Sequence, residues 1–426
     1  MYRIAGIDVH KRMLAVVVSD VEVAGDYEFE SRRWGTTPAQ LQALAAWLVE
    51  QHVQEVVMES TAQYWRPVWE SLEHYWKPIC KKQEGARPRS GRLHLAQAQS
   101  NRGPRGRKND FADAERLVKR LVAGELILSL VPDAEQRLWR TVTRAKVQLS
   151  RNRVQLQNRL EALLEQAHLK LSSVVSDLLG VSARRMLGAI ADGESNPAAL
   201  ADLADPSLRA TREELCDALS ACQELHPTYR ELVKMALEEL QLLERQMEKL
   251  DQKMATLLSP YQDQVERLAE VPGLGVDSAQ QILAEVGASA ATFPSAGSLS
   301  SWVGACPGQE ETAGVNRNHR SPKGNRQMRR LLNLAAHASI KHPGTIFAIL
   351  YRRYVTRLGP IQTIAVLAHR LCRLIWRILH QGVRYQERGP AVNEKTRRRR
   401  TARMIRELRR LGYRIEPTNS QLPVPA

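Results

Sequence analysis

The chain has 426 residues, 43% of them hydrophobic and 25% charged, which excludes a wholly disordered or collagen-like polymer and exceeds the length of one ordinary core. Its 62 Lys and Arg against 46 Asp and Glu leave a formal charge of +16. Residues 313–426 hold 25 basic and four acidic residues, a net +21, so residues 1–312 are net −5. A final quarter that basic points to a polyanionic partner, nucleic acid first, with a solvated basic tail as the alternative.

Cys80, Cys216, Cys222, Cys306 and Cys372 are scattered with no C-x-x-C pair, so a zinc finger is excluded and reduced thiols are expected. Asp8 falls too early for a secretory leader, and no uncharged apolar run reaches the roughly 18 residues of a spanning helix. The expected location is cytoplasmic, with no membrane partner.

Residues 1–125 alternate β-rich runs with helical periodicity and read as an α/β domain. Strands are predicted over 4–8 and 13–18, joined by a turn at His10-Lys11-Arg12, with a weaker strand near 27–34. An amphipathic helix over 38–51 carries Leu41, Leu44, Ala45 and Leu48 at helical spacing. A buried strand over 53–58 ends at Glu59, and a second helix covers 64–75. Residues 87–108 are basic, contain Gly and Pro and hold few large apolar side chains, so they read as a mobile loop before a helix beginning near Asp110.

Residues 134–262 read as a helical linker. Ala236, Leu240, Leu243, Met247, Leu250, Met254 and Leu257 keep a 3-4 spacing, the seam of a coiled coil. An earlier helix over 134–171 has its own stripe, including Leu149, Leu156, Leu160 and Leu163. The two stripes can pair as an antiparallel hairpin or across a dimer, and the sequence leaves both open. Residues 263–385 form a smaller helical domain, with helices over 277–286, 327–341 and 362–380 and a Gly- and Ser-rich stretch around 287–325. Residues 386–426 form a basic tail, with a helix or arm over 395–410 and a disordered end.

Four carboxylates stand where an α/β domain would place a metal site. Asp8 closes one predicted strand and Glu59 another, and strand ends converge at one edge of an open sheet. Asp110 and Asp113 lie three apart at a helix start and so share a face. Carboxylates gathered this closely call for hard cations such as Mg²⁺. Taken singly, each has a plain reading as a turn, strand-end or capping residue.

Ile7-Asp8-Val9-His10-Lys11, Glu59-Ser60-Thr61 with Tyr64, and the run from Gly106 through Arg107, Lys108 and Asp110 to Asp113 and Ala114 resemble the three acidic motifs of DEDD transposases. These are the insertion-sequence enzymes of the IS110 type, whose relatives include Piv-type DNA invertases. The resemblance implies a RuvC-like, RNase H-fold N-terminal domain whose Mg²⁺ tetrad falls on Asp8, Glu59, Asp110 and Asp113. Phe293, the run from Trp302 to Pro307, Glu311-Thr312-Ala313-Gly314 and Lys323-Gly324-Asn325-Arg326 resemble the C-terminal domain of the same family. There the family carries a nucleophilic serine, and this chain has Thr312. Threonine keeps the hydroxyl but is β-branched and crowded at its oxygen. Ser321 is a weaker substitute, and a loop hydroxyl bonded to its own backbone is the plain reading of Thr312.

Val271-Pro272-Gly273-Leu274-Gly275 resembles a helix-hairpin-helix turn, in which Gly273 and Gly275 would let backbone N–H groups approach a phosphate. An ordinary inter-helix turn is the alternative. Arg317, Arg320, Lys323, Arg326, Arg329 and Arg330 are expected to clamp phosphates beside Thr312, with Arg107 and Lys108 doing so near the tetrad. Cys306 and His319 lack further ligands at zinc spacing, and Trp65, Trp69, Trp76, Trp139 and Trp302 read as packing anchors.

The expected activity is cleavage and rejoining of DNA at element ends and target. The resemblance further implies a noncoding RNA of the element as guide, and the helical stripes suit a homodimer or homotetramer. Two alternatives stay open: a RuvC-like metal-dependent nuclease without covalent strand transfer, and a degenerate transposase that only binds nucleic acid.

Overall fold

The computed structural model describes residues 2–21, 27–60, 62–82, 91–98, 100–101, 109–308, 311–312, 315–316 and 321–387, with 402, 405–406 and 409 in the tail. The chain divides into two units, Met1–Pro132 and Asp133–Ala426. The tail helix expected over 395–410 lies largely outside the described residues.

The first unit is built on a mixed five-stranded sheet. Its elements are β1 (Arg3–Val9), β2 (Met13–Asp20), β3 (Glu30–Gly35), α1 (Pro38–Glu50), β4 (Val53–Glu59), β5 (Arg92–Ala96) and α2 (Asp110–Val122). The strand order is β3-β2-β1-β4-β5; β2 runs antiparallel to both β1 and β3, while β4 runs parallel to both β1 and β5. The central strands are buried on both faces, which suits their apolar runs Ile4-Ala5-Gly6-Ile7 and Val56-Val57-Met58. Ala5, Ile7 and Val9 pack with Leu44 and Leu48 of α1 and with Trp69 and Trp76. The opposite face sets Ile4, Val17 and Val57 against Ala114, Leu117 and Val118 of α2. Strand alternation puts Gly6 and Asp8 on this second face, under α2.

Three expectations change here. β5 lies inside residues 87–108, which read from the sequence as a loop. Leu93 and Leu95 do alternate with polar residues, but a short edge strand carrying Arg92 and His94 resembles a basic loop in composition. The weak third strand begins at Glu30, later than expected. The helix expected over 64–75 starts at Trp65 and winds on through a π-helical stretch, Leu72–Trp76, into Lys77–Lys82.

The second unit is helical. Its elements are α3 (Ala134–Gln166), α4 (Pro227–Leu257), α5 (Gln262–Ala269), α6 (Val276–Val286), α7 (Ala296–Val303), the strand pair β6 (Glu311–Thr312) and β7 (Val315–Asn316), α8 (Arg326–Ser339) and α9 (Ile346–Gln381). The two long helices pair antiparallel within one chain: Lys146 of α3 meets Asp251 of α4, and Arg159, further along α3, meets Glu239, earlier on α4. Leu156, Leu160 and Leu164 share a core with Val233, Leu240 and Leu243. Short helices between them, among them Val181–Ala191 and Arg212–Ala218, fill that core with Met186, Leu187 and Leu215. α9 breaks at Gly359, whose φ of 76° and ψ of 168° are non-helical and precede Pro360.

Candidate active site

The carboxylates of the first unit are brought together by strand register. Ile7 pairs with Met58 across the parallel β1 and β4, so Asp8 and Glu59 follow side by side at the same end of adjacent strands. α2 then lies over β1, because Gly6 offers no side chain to hold it away. Asn109 caps α2, its side chain accepting from the Phe111 amide at 3.0 Å and its carbonyl from the Asp113 amide at 2.9 Å. This start delivers Asp110 and Asp113 in the first turn.

Asp8 is buried at 7% exposure, and a histidine stands beside its carboxyl group. His10 Nε2 lies 3.1 Å from Asp8 Oδ2 and 3.2 Å from Asp110 Oδ1, bridging the strand and the helix. Among the described residues, Asp8, His10 and Asp110 can each offer one ligand atom within 4.8 Å of the others. Glu59 and Asp113 belong to a second, linked group. Asn101 donates Nδ2 to Glu59 Oε2 at 2.9 Å, Arg116 donates Nε to the Asn101 carbonyl at 3.2 Å, and Arg116 also pairs with Asp113. The structure therefore joins Asp8 to Asp110 and, through Asn101 and Arg116, Glu59 to Asp113.

The carboxylates and the amide oxygen are donors that suit a hard divalent cation, whereas the His10 imidazole is a softer one and serves here to hold Asp8 and Asp110. Asn101 is 2% exposed, and its Oδ1 has no hydrogen-bond partner among the described residues. A buried carbonyl oxygen so placed, beside a carboxylate, is what a cation or its water would satisfy.

His10, Asn101 and Arg116 were not among the expected site residues. His10 had a usable signal, since it lies two positions past Asp8 and period-two alternation keeps the two on one side of the strand end. Asn101 had none, standing in a stretch with no periodicity. At the other end of the α2 face sits a separate polar group: His94 Nε2 lies 2.8 Å from Glu55 Oε2, Tyr2 donates its hydroxyl to Glu55, and Arg92 stands 3.5 Å away. The His94 hydrogen bond leads in holding the Glu55 carboxyl below its ordinary range; burial opposes it, and Tyr2 and Arg92 assist.

In the second unit Thr312 lies on β6 and pairs with Val315 of β7. Lys323 and Arg326 are exposed, whereas Arg329 donates to the Pro322 carbonyl at 3.2 Å and Arg330 to Gln281 Oε1 at 3.0 Å. Burial, with Arg151 nearby, lowers the Arg330 pKa. Arg317, Arg320, Arg107 and Lys108 lie outside the described residues. Gly273, at φ 89°, is pressed on α8: a Cβ there would come within 2.4 Å of the Ala335 carbonyl oxygen. Gly275 instead precedes α6 with open space where its side chain would be.

A family model of DEDD transposases of the IS110 type, described as Transposase, matches residues 5–169. A second, described as Transposase IS116/IS110/IS902 family, matches residues 265–352. The chain belongs to the IS110 family of transposases. No curated protein matches it. Membership marks this transposase as a DNA-processing enzyme with DNA as its partner, and suggests divalent-metal use at the acidic cluster. Among the described residues no helix is long and apolar enough to cross a membrane.

Proposed function

We propose that this IS110-family transposase cleaves and rejoins the DNA strands of its insertion sequence with two chemical centres, a Mg²⁺ site and a threonine nucleophile. The observation that carries the reading is the convergence of Asp8 and Asp110 on His10, with Glu59 and Asp113 linked through Asn101. Carboxylates on two adjacent parallel strand ends and on the helix above them support the RuvC-like reading.

Asp8, Glu59, Asp110 and Asp113 would hold the Mg²⁺, which when bound polarises a phosphate and stabilises the leaving oxygen. The chain's own residues do the rest. Asn101 and Arg116 orient Glu59 and Asp113, and His10 holds Asp8 and Asp110 together. Thr312 Oγ1 attacks the scissile phosphorus as its hydroxyl proton passes to solvent, the bond to the leaving sugar oxygen breaks, and that oxygen takes up a proton in turn. The strand end stays as a phosphothreonine diester until an incoming sugar hydroxyl displaces the threonine. Lys323 and Arg326 face solvent where they can hold neighbouring phosphates. A noncoding RNA of the element as guide, and assembly into a homodimer or homotetramer, complete the reading.

Incubating the protein with Mg²⁺ and element-end DNA should give a covalent protein–DNA adduct that is lost in Thr312→Ala. An adduct that survives Thr312→Ala would remove that residue from the mechanism. Cleavage without any adduct, abolished by Asp8→Ala, would favour a metal-dependent nuclease. Salt-sensitive binding with no cleavage would leave only nucleic-acid binding.

A further inference from the structure

Glu285 is an unfavourable residue for its place. It lies in the last turn of α6, where the helix dipole disfavours a negative charge, and it is 3% exposed. Three side chains hold it. Arg144 of α3 donates from Nε and Nη2 at 2.9 Å each, a bidentate fork; Arg140 Nε stands 3.5 Å away; and Asn325 donates Nδ2 at 2.8 Å. Arg140 also donates to the carbonyls of Ala284 and Glu285, at 3.0 and 2.6 Å, so α3 grips the whole end of α6.

Asn325 is the hinge of this arrangement. Its Oδ1 caps α8, accepting from the amides of Gln327 and Met328 at 2.9 and 3.0 Å, while its own amide donates to the Trp302 carbonyl at 3.1 Å. One residue earlier, Gly324 lies so close to α7 that a Cβ on it would come within 2.3 Å of the Val303 carbonyl. Gly304 meets Pro322 in the same way, at 2.5 Å. The two ends of the stretch that carries β6, Thr312 and β7 therefore meet back to back. The knot where they meet is tied to α3 through Asn325 and Glu285.

We infer that Glu285 is a positioning residue, which through Asn325 anchors the base of the Thr312 segment to α3. The inference rests on the reading of Thr312 as nucleophile for its chemical consequence, but the anchor itself is tested without chemistry. An attacking oxygen must be held to within a fraction of an ångström, so a loosened base slows attack without weakening DNA binding.

Asn325→Asp separates tether from cap. Aspartate caps a helix as well as asparagine does, but it has no N–H to give Glu285. In hydrogen exchange read by mass spectrometry, peptides containing residue 325 should exchange about tenfold faster in Asn325→Asp, while peptides within 327–339 stay as in the wild type. Asn325→Ala, lacking cap and tether, should loosen both. Adduct formation should slow by about tenfold to a hundredfold in Asn325→Asp at saturating element-end DNA, where any loss of affinity from the added charge no longer limits the rate. Unchanged exchange at 325, or equal loosening of 327–339, would overturn the anchor. A wild-type adduct rate in Asn325→Asp would overturn its part in positioning. If the wild-type protein forms no adduct, the nucleophile reading fails, and the exchange pattern alone decides the anchor.

Discussion

Gly6 and Ala114 stand in backbone contact: a Cβ built on Gly6 would lie 2.3 Å from the Ala114 carbonyl oxygen and 2.9 Å from a Val118 methyl. Neither neighbour can give way cheaply, since one is helix backbone and the other is fully buried. This contact sets the height of α2 over β1, and with it the reach from Asp110 to His10 and Asp8.

Gly6→Ala should therefore act on stability and site together. The overpacked interface is expected to cost about 1–3 kcal/mol, seen as a lower midpoint in urea. Divalent-ion affinity by calorimetry should fall in the same variant. A normal affinity in a destabilised protein would mean that α2 placement and the carboxylate site are independent.

Asn101 offers a test of the outer part of the site. Removing a partner that orients a ligand commonly costs about 10- to 100-fold in metal affinity. Asn101→Ala should show a loss of that size for Mn²⁺ or Mg²⁺, and Asp8→Asn at least as much. An Asn101→Ala protein that binds the ion normally would place Glu59 outside the coordination sphere.

Glu55 should contribute pH-dependent stability. Its folded pKa is lowered, chiefly by the His94 hydrogen bond, so the contribution is complete above the ordinary carboxylate value of about 4.3 and is lost as pH falls through the lower folded value. Wild type should exceed Glu55→Gln in urea midpoint at neutral pH, and the gap should close as the pH falls below the ordinary carboxylate range. A gap that widens in acid would reverse the assigned direction.

Lys323 and Arg326, both exposed, should each act as a phosphate contact. Replacing either by Ala is expected to reduce the slope of log affinity against log salt by about 0.9. Arg330, occupied by Gln281, should change it less. Equal effects of all three would argue for a diffuse field.

Much of the candidate site could be read because the proposed acids lie in short local motifs: Asp8 at a strand end, Glu59 at another, Asp110 and Asp113 one helical turn apart. Its second layer was not. Asn101 reaches Glu59 from 42 positions away, and no local pattern announces such a bond. β5 was hidden because Arg92, largely exposed, and His94, on the covered face, are polar and both serve a neighbour, Glu55. The partner of the α4 stripe was likewise open in the sequence. The ion pairs that set the hairpin span 105 positions from Lys146 to Asp251 and 80 from Arg159 to Glu239, a distance at which helical periodicity is silent. Gly273 was legible as a special glycine, and the structure sets its Cα against the α8 backbone.

The antiparallel course of α3 and α4 makes the middle of the chain a there-and-back excursion. Lys146 near the start of α3 touches Asp251 near the end of α4 and Asp277 of α6, so departure and return share one doorstep. The two family models, over residues 5–169 and 265–352, leave the stretch between them uncovered, and the whole return limb falls there. The contacts that fix α6 at this doorstep thus stand apart from the core further out along the hairpin, which the limbs share with the short helices between them.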